Sequence, residues 1–235
     1  MERMSDAAEG RPRTAARNRR IAGADPEKRR QILDGAQVIF HAQGFDAASM
    51  NEIAVAAGVS KGTLYVYFED KEHLFVALIE REREKHRQHM YEALTEHPDL
   101  PQALAGFGTN LVRLLTDPFS LSAHRIVLGV AERMPDLGRA FFERGPLLGG
   151  QRLAAFLRMR ITAGELSIAD PELAAGQFID LCQSTLLRPR LFNAERRPPS
   201  NAEIRHVVDE AVAMFLARYA SPALRASLTE PGRAP

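Results

Sequence analysis

Tryptophan is absent from this chain, cysteine occurs once, and aromatic residues make up only 7% of it. A single cysteine excludes an intramolecular disulfide and a cysteine-based metal cluster. Cys182 lies among Phe178, Ile179, Leu181 and Leu186, a setting for a buried structural thiol rather than a nucleophile. No apolar run reaches the length of a membrane span, and the first residues carry no hydrophobic segment of the kind that directs secretion. A soluble, cytoplasmic protein is expected. The formal net charge is only +1, so affinity for nucleic acid would have to come from local clustering of positive charge. β-Branched runs are rare, whereas hydrophobic residues make up 45% of 235 positions. That suits an all-α chain with a substantial core.

Helix starts recur along the sequence. Asp25-Pro26, Asp117-Pro118 and Asp170-Pro171 each pair an N-cap acid with proline at the first helical position, where its missing N–H costs nothing. Ser200 with Glu203 makes a capping box. Ile32, Leu33, Ala36, Ile39 and Phe40 line one face of a first helix that stops near Gly44. Asp70 caps a long helix from Lys71 to about Thr95, and its charged middle, Glu80 to Arg87, reads as a solvated connector. Further helices are expected near 101–116, 119–133, 137–163, 171–188 and 201–219, about nine in all. The expected organisation is a basic arm over 1–24, a three-helix DNA-binding domain over 25–75, a helical domain over 76–220 and a flexible tail over 221–235. Arg11, Arg13, Arg17, Arg19 and Arg20 in the arm fit either a solvated tail or a segment that tracks phosphates.

The densest pattern is Ser49 to Lys71. Ser49 and Glu52 form a capping box, and Met50, Ile53, Ala54 and Ala57 recur at helical spacing. Gly58 follows where a left-handed cap needs a residue without Cβ, and Ser60 is a good N-cap for the next helix. There Leu64, Tyr67 and Phe68 share a side, leaving Lys61, Thr63, Tyr65 and Val66 on or near the other. A generic helical hairpin would have a longer turn and an apolar second helix, so the spacing predicts a helix-turn-helix. In that motif the N-terminal residues of the second helix meet base edges. Lys61 suits guanine O6 or N7, and Thr63 a thymine methyl or a phosphate. Gly62 lets the backbone approach closely, and Tyr65 reaches a phosphate. Ser60 serves as a cap and as a contact. Tyr67 divides between core and contact, with the core reading ahead.

The stretch from Glu27 to Leu78 resembles the N-terminal domain of TetR-type bacterial transcriptional regulators. The matching residues are Arg30 to Phe40 with Gly44-Phe45, Ser49 to Gly58, Val59 to Tyr65, Tyr67-Phe68, Lys71 and Leu74. More loosely, His124-Arg125 to Met134-Pro135 and Phe142 to Pro146 resemble the C-terminal domain of the subgroup near efflux-pump regulators. The resemblance implies phosphate contacts from Ser49 and Lys71. Val66 departs from the aromatic or histidine usual at its position, which leaves a thymine methyl but no base hydrogen bond. The resemblance further implies an apolar effector pocket in the C-terminal domain, for which Phe107, Leu111, Phe178 and Cys182 are candidate lining residues. His124 and Arg125 would supply polarity there, or serve only structurally. No cofactor and no metal is implied.

The last two long helices are expected to form a homodimer. Leu173, Gln177, Asp180, Leu181, Ser184 and Thr185 lie on one, and Val207, Val208, Ala211, Phe215 and Leu216 on the other. Two from each subunit would build a four-helix bundle, and the dimer would read a palindromic operator. A small, largely apolar effector would release a repressor from that site.

Two other classes compete. A helical enzyme would need chemistry, and the best candidate is His86-x-x-His89 with Glu82. That set lies in a charged run without an apolar shell or third ligand, so an enzyme is not expected. A protein-interaction module with a helix-turn-helix that has lost DNA binding is the third reading.

Overall fold

The computed structural model describes residues 25–229, apart from the side chains of 83–91, 96 and 229. The arginine-rich segment over 1–24 and the side chains of His86 and His89 lie outside the described residues. The fold is all-α. The chain divides into two compact units, one ending at Leu78 and the other beginning at Ile79.

In the first unit, α1 spans Pro26–Ala47, with Asp25 accepting the N–H groups of Glu27 and Lys28 and Pro26 opening the helix. Its helical path breaks at Gly44, which has φ 78°, a left-handed value that favours glycine. Helices α2 (Met50–Ala56) and α3 (Lys61–Tyr67) follow. Helix α4 (Lys71–Glu96) starts in this unit and continues into the next. Ile32, Leu33, Ile53, Leu64, Leu74 and Phe75 form the buried interior, as expected where each helix turns one apolar stripe inward.

The second unit contains the rest of α4, then α5 (Leu100–Thr116), α6 (Pro118–Val130), α7 (Pro135–Phe142), α8 (Leu148–Thr162), α9 (Pro171–Gln183), α10 (Leu187–Leu191), α11 (Asn201–Tyr219) and α12 (Pro222–Thr229). Leu104, Phe107, Leu157, Phe178, Cys182, Val208 and Phe215 belong to one continuous core. Helices α5, α9 and α11 cross closely there. A Cβ on Gly108 of α5 would lie 2.9 Å from both Cys182 Sγ and Val208 Cγ1.

The described residues form twelve α-helices, three more than the expected nine, and each extra one has a local cause. The helix expected over 137–163 is divided by a π-helical turn at Glu143–Leu147. Pro146 within it has no N–H to give, and its ring would collide with the Phe142 carbonyl in α geometry. The helix expected over 171–188 is divided between α9 and α10, because Pro189 would collide in the same way with the carbonyl of Thr185. The tail expected over 221–235 holds a helix instead. The Ser221 hydroxyl accepts the Leu224 N–H at 3.2 Å, and Leu224 packs against the core. Its entry is fixed by an antiparallel bridge between Leu166 and Ala220. Helix α6 ends at Val130 rather than near 133, because Met134 precedes Pro135 and is driven out of helical geometry.

Candidate nucleic-acid interface and effector cavity

The α2–turn–α3 segment is fixed at every end by short-range chemistry. The Ser49 hydroxyl accepts the Glu52 N–H at 3.3 Å, and the Glu52 carboxylate accepts the Ser49 N–H at 3.0 Å. The hydroxyl of Ser49, its N–H and the amide of Gln43 together hold the Glu52 carboxyl below its ordinary pKa. At the other end Gly58 has φ 62°. Its N–H reaches the Val55 carbonyl at 3.0 Å, and the Val59 N–H reaches that of Ala54 at 3.0 Å. This is the Schellman arrangement, and it stops the helix in the space of one residue. The Ser60 hydroxyl then accepts the Thr63 N–H at 3.0 Å and pairs with the Thr63 hydroxyl at 2.8 Å.

Helix α1 holds this corner from behind. Gln31 Nε2 donates to the Ala57 carbonyl at 2.7 Å. A Cβ on Gly35 would come within 2.5 Å of the Ala57 nitrogen, so only glycine allows α1 to approach the turn this closely. Neither residue was singled out in the sequence, because a close crossing leaves no local pattern.

With Leu64 fully buried, α3 turns the opposite face outward. Lys61, Gly62, Tyr65 and Val66 are exposed and Thr63 is partly so. A Cβ at Gly62 would meet only the Ser60 hydroxyl, at 3.8 Å, leaving the surface open above it. Tyr67 is half-buried, and its hydroxyl is enclosed without a hydrogen-bond partner among the described residues. Loss of solvent, and secondarily the charge of Asp25, raise its pKa. Its place is with the packing.

Lys71 is a correction. Expected on a phosphate, its ammonium instead donates to the carbonyls of Phe45, Asp46 and Ala48 at 2.7, 3.2 and 2.9 Å. Three donors meet three acceptors, so the ammonium is saturated within the protein. The acceptors are carbonyls at the end of α1, left without helical partners once Gly44 breaks the ladder.

The second unit contains a largely apolar cavity of about 270 Å³. Of the expected lining residues, Phe107, Leu111 and His124 face it. Phe178 and Cys182 are wholly buried in the core, and burial pushes the Cys182 thiol up to about 12. Arg125 turns away to donate to the carbonyls of Leu191 and Arg190 at 2.8 and 2.6 Å, closing the end of α10. His124 Nδ1 lies 2.7 Å from the Ser120 carbonyl, which assigns its proton to that nitrogen. Arg144 and Gln183 also reach the wall, and neither was anticipated, since the π-helical turn that places Arg144 was not.

The expected dimer face divides in two. On α9, Leu173 is 56% exposed, and Gln177, Asp180 and Ser184 are exposed with it. On α11, however, Val208, Ala211, Phe215 and Leu216 are buried in the core of their own unit. The outward residue there is Met214, 51% exposed. Among the described residues no group of His, Cys, Asp and Glu could hold a metal ion, and none of their helices is long and apolar enough to cross a membrane.

Two helices crossing at a capped glycine turn, with a polar second helix outward, define a helix-turn-helix regulator. Comparison with known proteins agrees. Residues 32–78 match the family model of bacterial regulatory proteins of the tetR family, and residues 102–221 match that of the AefR-like transcriptional repressor C-terminal domain. A crystal structure of a TetR-family transcriptional regulator from Mesorhizobium loti is 31% identical, with TM-score 0.74, covering 83% of this chain and 97% of that one. The flavonoid-responsive regulator FrrA is likewise 31% identical, with TM-score 0.65, covering 84% and 99% respectively. The transcriptional repressor BepR of Brucella suis is 35% identical over 82 residues, 34% of this chain and 39% of that protein. The chain spans roughly a third of the length of the first curated relatives it matches, between 30% and 39%. It belongs to the TetR family of bacterial transcriptional regulators, a class of DNA-binding proteins and not of enzymes.

Proposed function

We propose that the protein is a homodimeric, ligand-responsive regulator, acting as a repressor, that binds a palindromic operator through α3 and leaves it when a small, largely apolar effector fills the cavity. One observation carries the reading: Lys61, Gly62 and Tyr65 stand exposed at the start of a short helix held rigid by caps and a glycine crossing. Lys61 addresses a guanine edge and Thr63 a thymine methyl or phosphate, while Ser49 and Tyr65 reach backbone phosphates. Ser49 and Ser60 do this while capping their helices. Val66, 38% exposed, contributes apolar contact only.

The outward residues of α9 and α11, Leu173, Leu181 and Met214 among them, supply the face for a second copy. Two-fold pairing then sets the recognition helices one helical turn of DNA apart. The similarity to a flavonoid-responsive regulator supports a small-molecule effector, as do the apolar walls of the cavity. The effector favours a tilted α4 that does not suit the operator, so effector and DNA bind antagonistically and by the same factor in each direction.

Selection of genomic fragments by the purified protein tests this. A shared site with two inverted halves about 10 base pairs apart, centre to centre, is expected. Fragments without any common sequence would reject specific regulation.

A further inference from the structure

The cavity has an uneven wall. Phe107, Leu111, Leu115 and Ile179 make it apolar, and three polar side chains reach it: His124, Gln183 and Arg144. Gln183 Nε2 is held by Asp180 at 3.0 Å, and His124 Nδ1 by the Ser120 carbonyl at 2.7 Å. Arg144 differs. A single nitrogen, Nη1, donates to both Glu80 oxygens, at 2.8 and 2.9 Å. Its Nε and Nη2 groups have no partner among the described residues. A guanidinium that met its carboxylate in the strong fork-to-fork manner would use two nitrogens. This one leaves most of its donors unclaimed while lining an apolar pocket, and its side chain is 66% exposed against 25% for that of Glu80.

We infer that the cavity takes an apolar acid: a hydrophobic body with one anionic head, whose head binds Arg144 in competition with Glu80. The body lies against Phe107, Leu111, Leu115 and Ile179, where burial of hydrocarbon supplies affinity. The head accepts hydrogen bonds from the guanidinium, which chooses acids over neutral analogues of the same shape. Glu80 is carried by α4, so an anion that takes over Arg144 alters a contact on the helix that continues from the DNA-binding unit. The inference rests on the effector reading above and names the chemistry of that effector.

Two fluorescent probes with the same aromatic body separate the possibilities: anilinonaphthalene sulfonate, which carries an anionic head, and N-phenyl-naphthylamine, which does not. Titrated into the full-length protein, the sulfonate should bind, Arg144→Gln should weaken it about tenfold, and Glu80→Gln should tighten it several-fold by removing the competitor. The neutral probe should respond far less to either substitution. Leu115→Trp, or Leu148→Trp should the first variant fail to fold, should block both probes. Equal effects on the two probes, indifference of the sulfonate to Arg144, or sulfonate binding that survives the blocked cavity would overturn the inference. Binding of neither probe to the wild-type protein would overturn the effector reading with it, whereas neutral-probe binding alone would sink only the choice of an acid.

Discussion

The ammonium of Lys71 lies 4.4 Å above the ring of Phe45 and 2.7 Å from the carbonyl oxygen of the same residue. One side chain thus neutralises the frayed end of α1 and stacks on the aromatic cluster of Phe40, Phe45 and Phe75, whose centroids are 4.9 to 5.8 Å apart. The segment it holds leads directly into Ser49 and α2. A lysine that a family pattern assigns to DNA therefore works here on the backbone that aims the reading helix.

Lys71→Met should consequently lower stability by about 1.5–3 kcal/mol, the range for hydrogen bonds to a charged group. The slope of log affinity for DNA against log salt should stay as in the wild type. A phosphate-contacting lysine would do the opposite, reducing the slope by about 1 at little cost in stability. Urea denaturation and salt-dependent anisotropy distinguish the two.

Gly35→Ala places a methyl group where no space exists, 2.5 Å from a backbone nitrogen. Overpacking of this kind costs roughly 1–3 kcal/mol. The thermal midpoint should fall, and DNA affinity should fall with it, because the displaced backbone belongs to the turn. Gly62→Ala makes a useful contrast: its Cβ would find open surface, so stability should hold or rise slightly, helix propensity favouring alanine.

Cys182 should be inert in the folded state. It is fully buried, and its thiol is pushed up to about 12, so almost no thiolate exists at neutral pH. Ellman's reagent should label it at the rate of unfolding rather than at that of an open thiol. Rapid labelling of the native protein would contradict this packing.

Both capping boxes titrate in the same direction. Glu203 is held well below the usual carboxylate range by Arg197 first, then by the N–H and hydroxyl of Ser200; Glu52 is held down by Ser49 and Gln43. A carboxyl whose pKa is lower folded than unfolded stabilises above its unfolded pKa, near 4.3, and loses that contribution as pH falls toward the folded value. Urea midpoints measured from pH 7 downward should therefore drop more steeply below about 4.3 in the wild type than in Glu203→Gln. Parallel curves would count against the Arg197–Glu203 contact.

What could be read in the sequence is what the chain does over three or four residues. Ser49 with Glu52, Gly58 with its reversed turn, Ser60 before Lys61, and the aspartate–proline starts are all local, and the structure forms each one. What could not be read depends on partners far along the chain. Gly35 meets Ala57, Lys71 meets Phe45, and Arg144 meets Glu80; spacing announces none of them. The α11 stripe shows a second limit. Periodicity identifies an apolar face but not its cover, and Val208, Ala211 and Phe215 turn to their own core rather than to a second subunit. Pro146 and Pro189 were visible as interruptions, but the π-helical turn that brings Arg144 to the cavity wall was not.

The most direct test compares the wild-type protein with the double variant Lys61→Ala, Tyr65→Ala on a selected operator duplex at low salt, by fluorescence anisotropy. Both side chains are exposed, so the thermal midpoint should not change. With each base or phosphate contact contributing about 1–3 kcal/mol, the variant should lose specific binding altogether. A double variant that binds the duplex as tightly as the wild type would contradict the claim that α3 reads DNA.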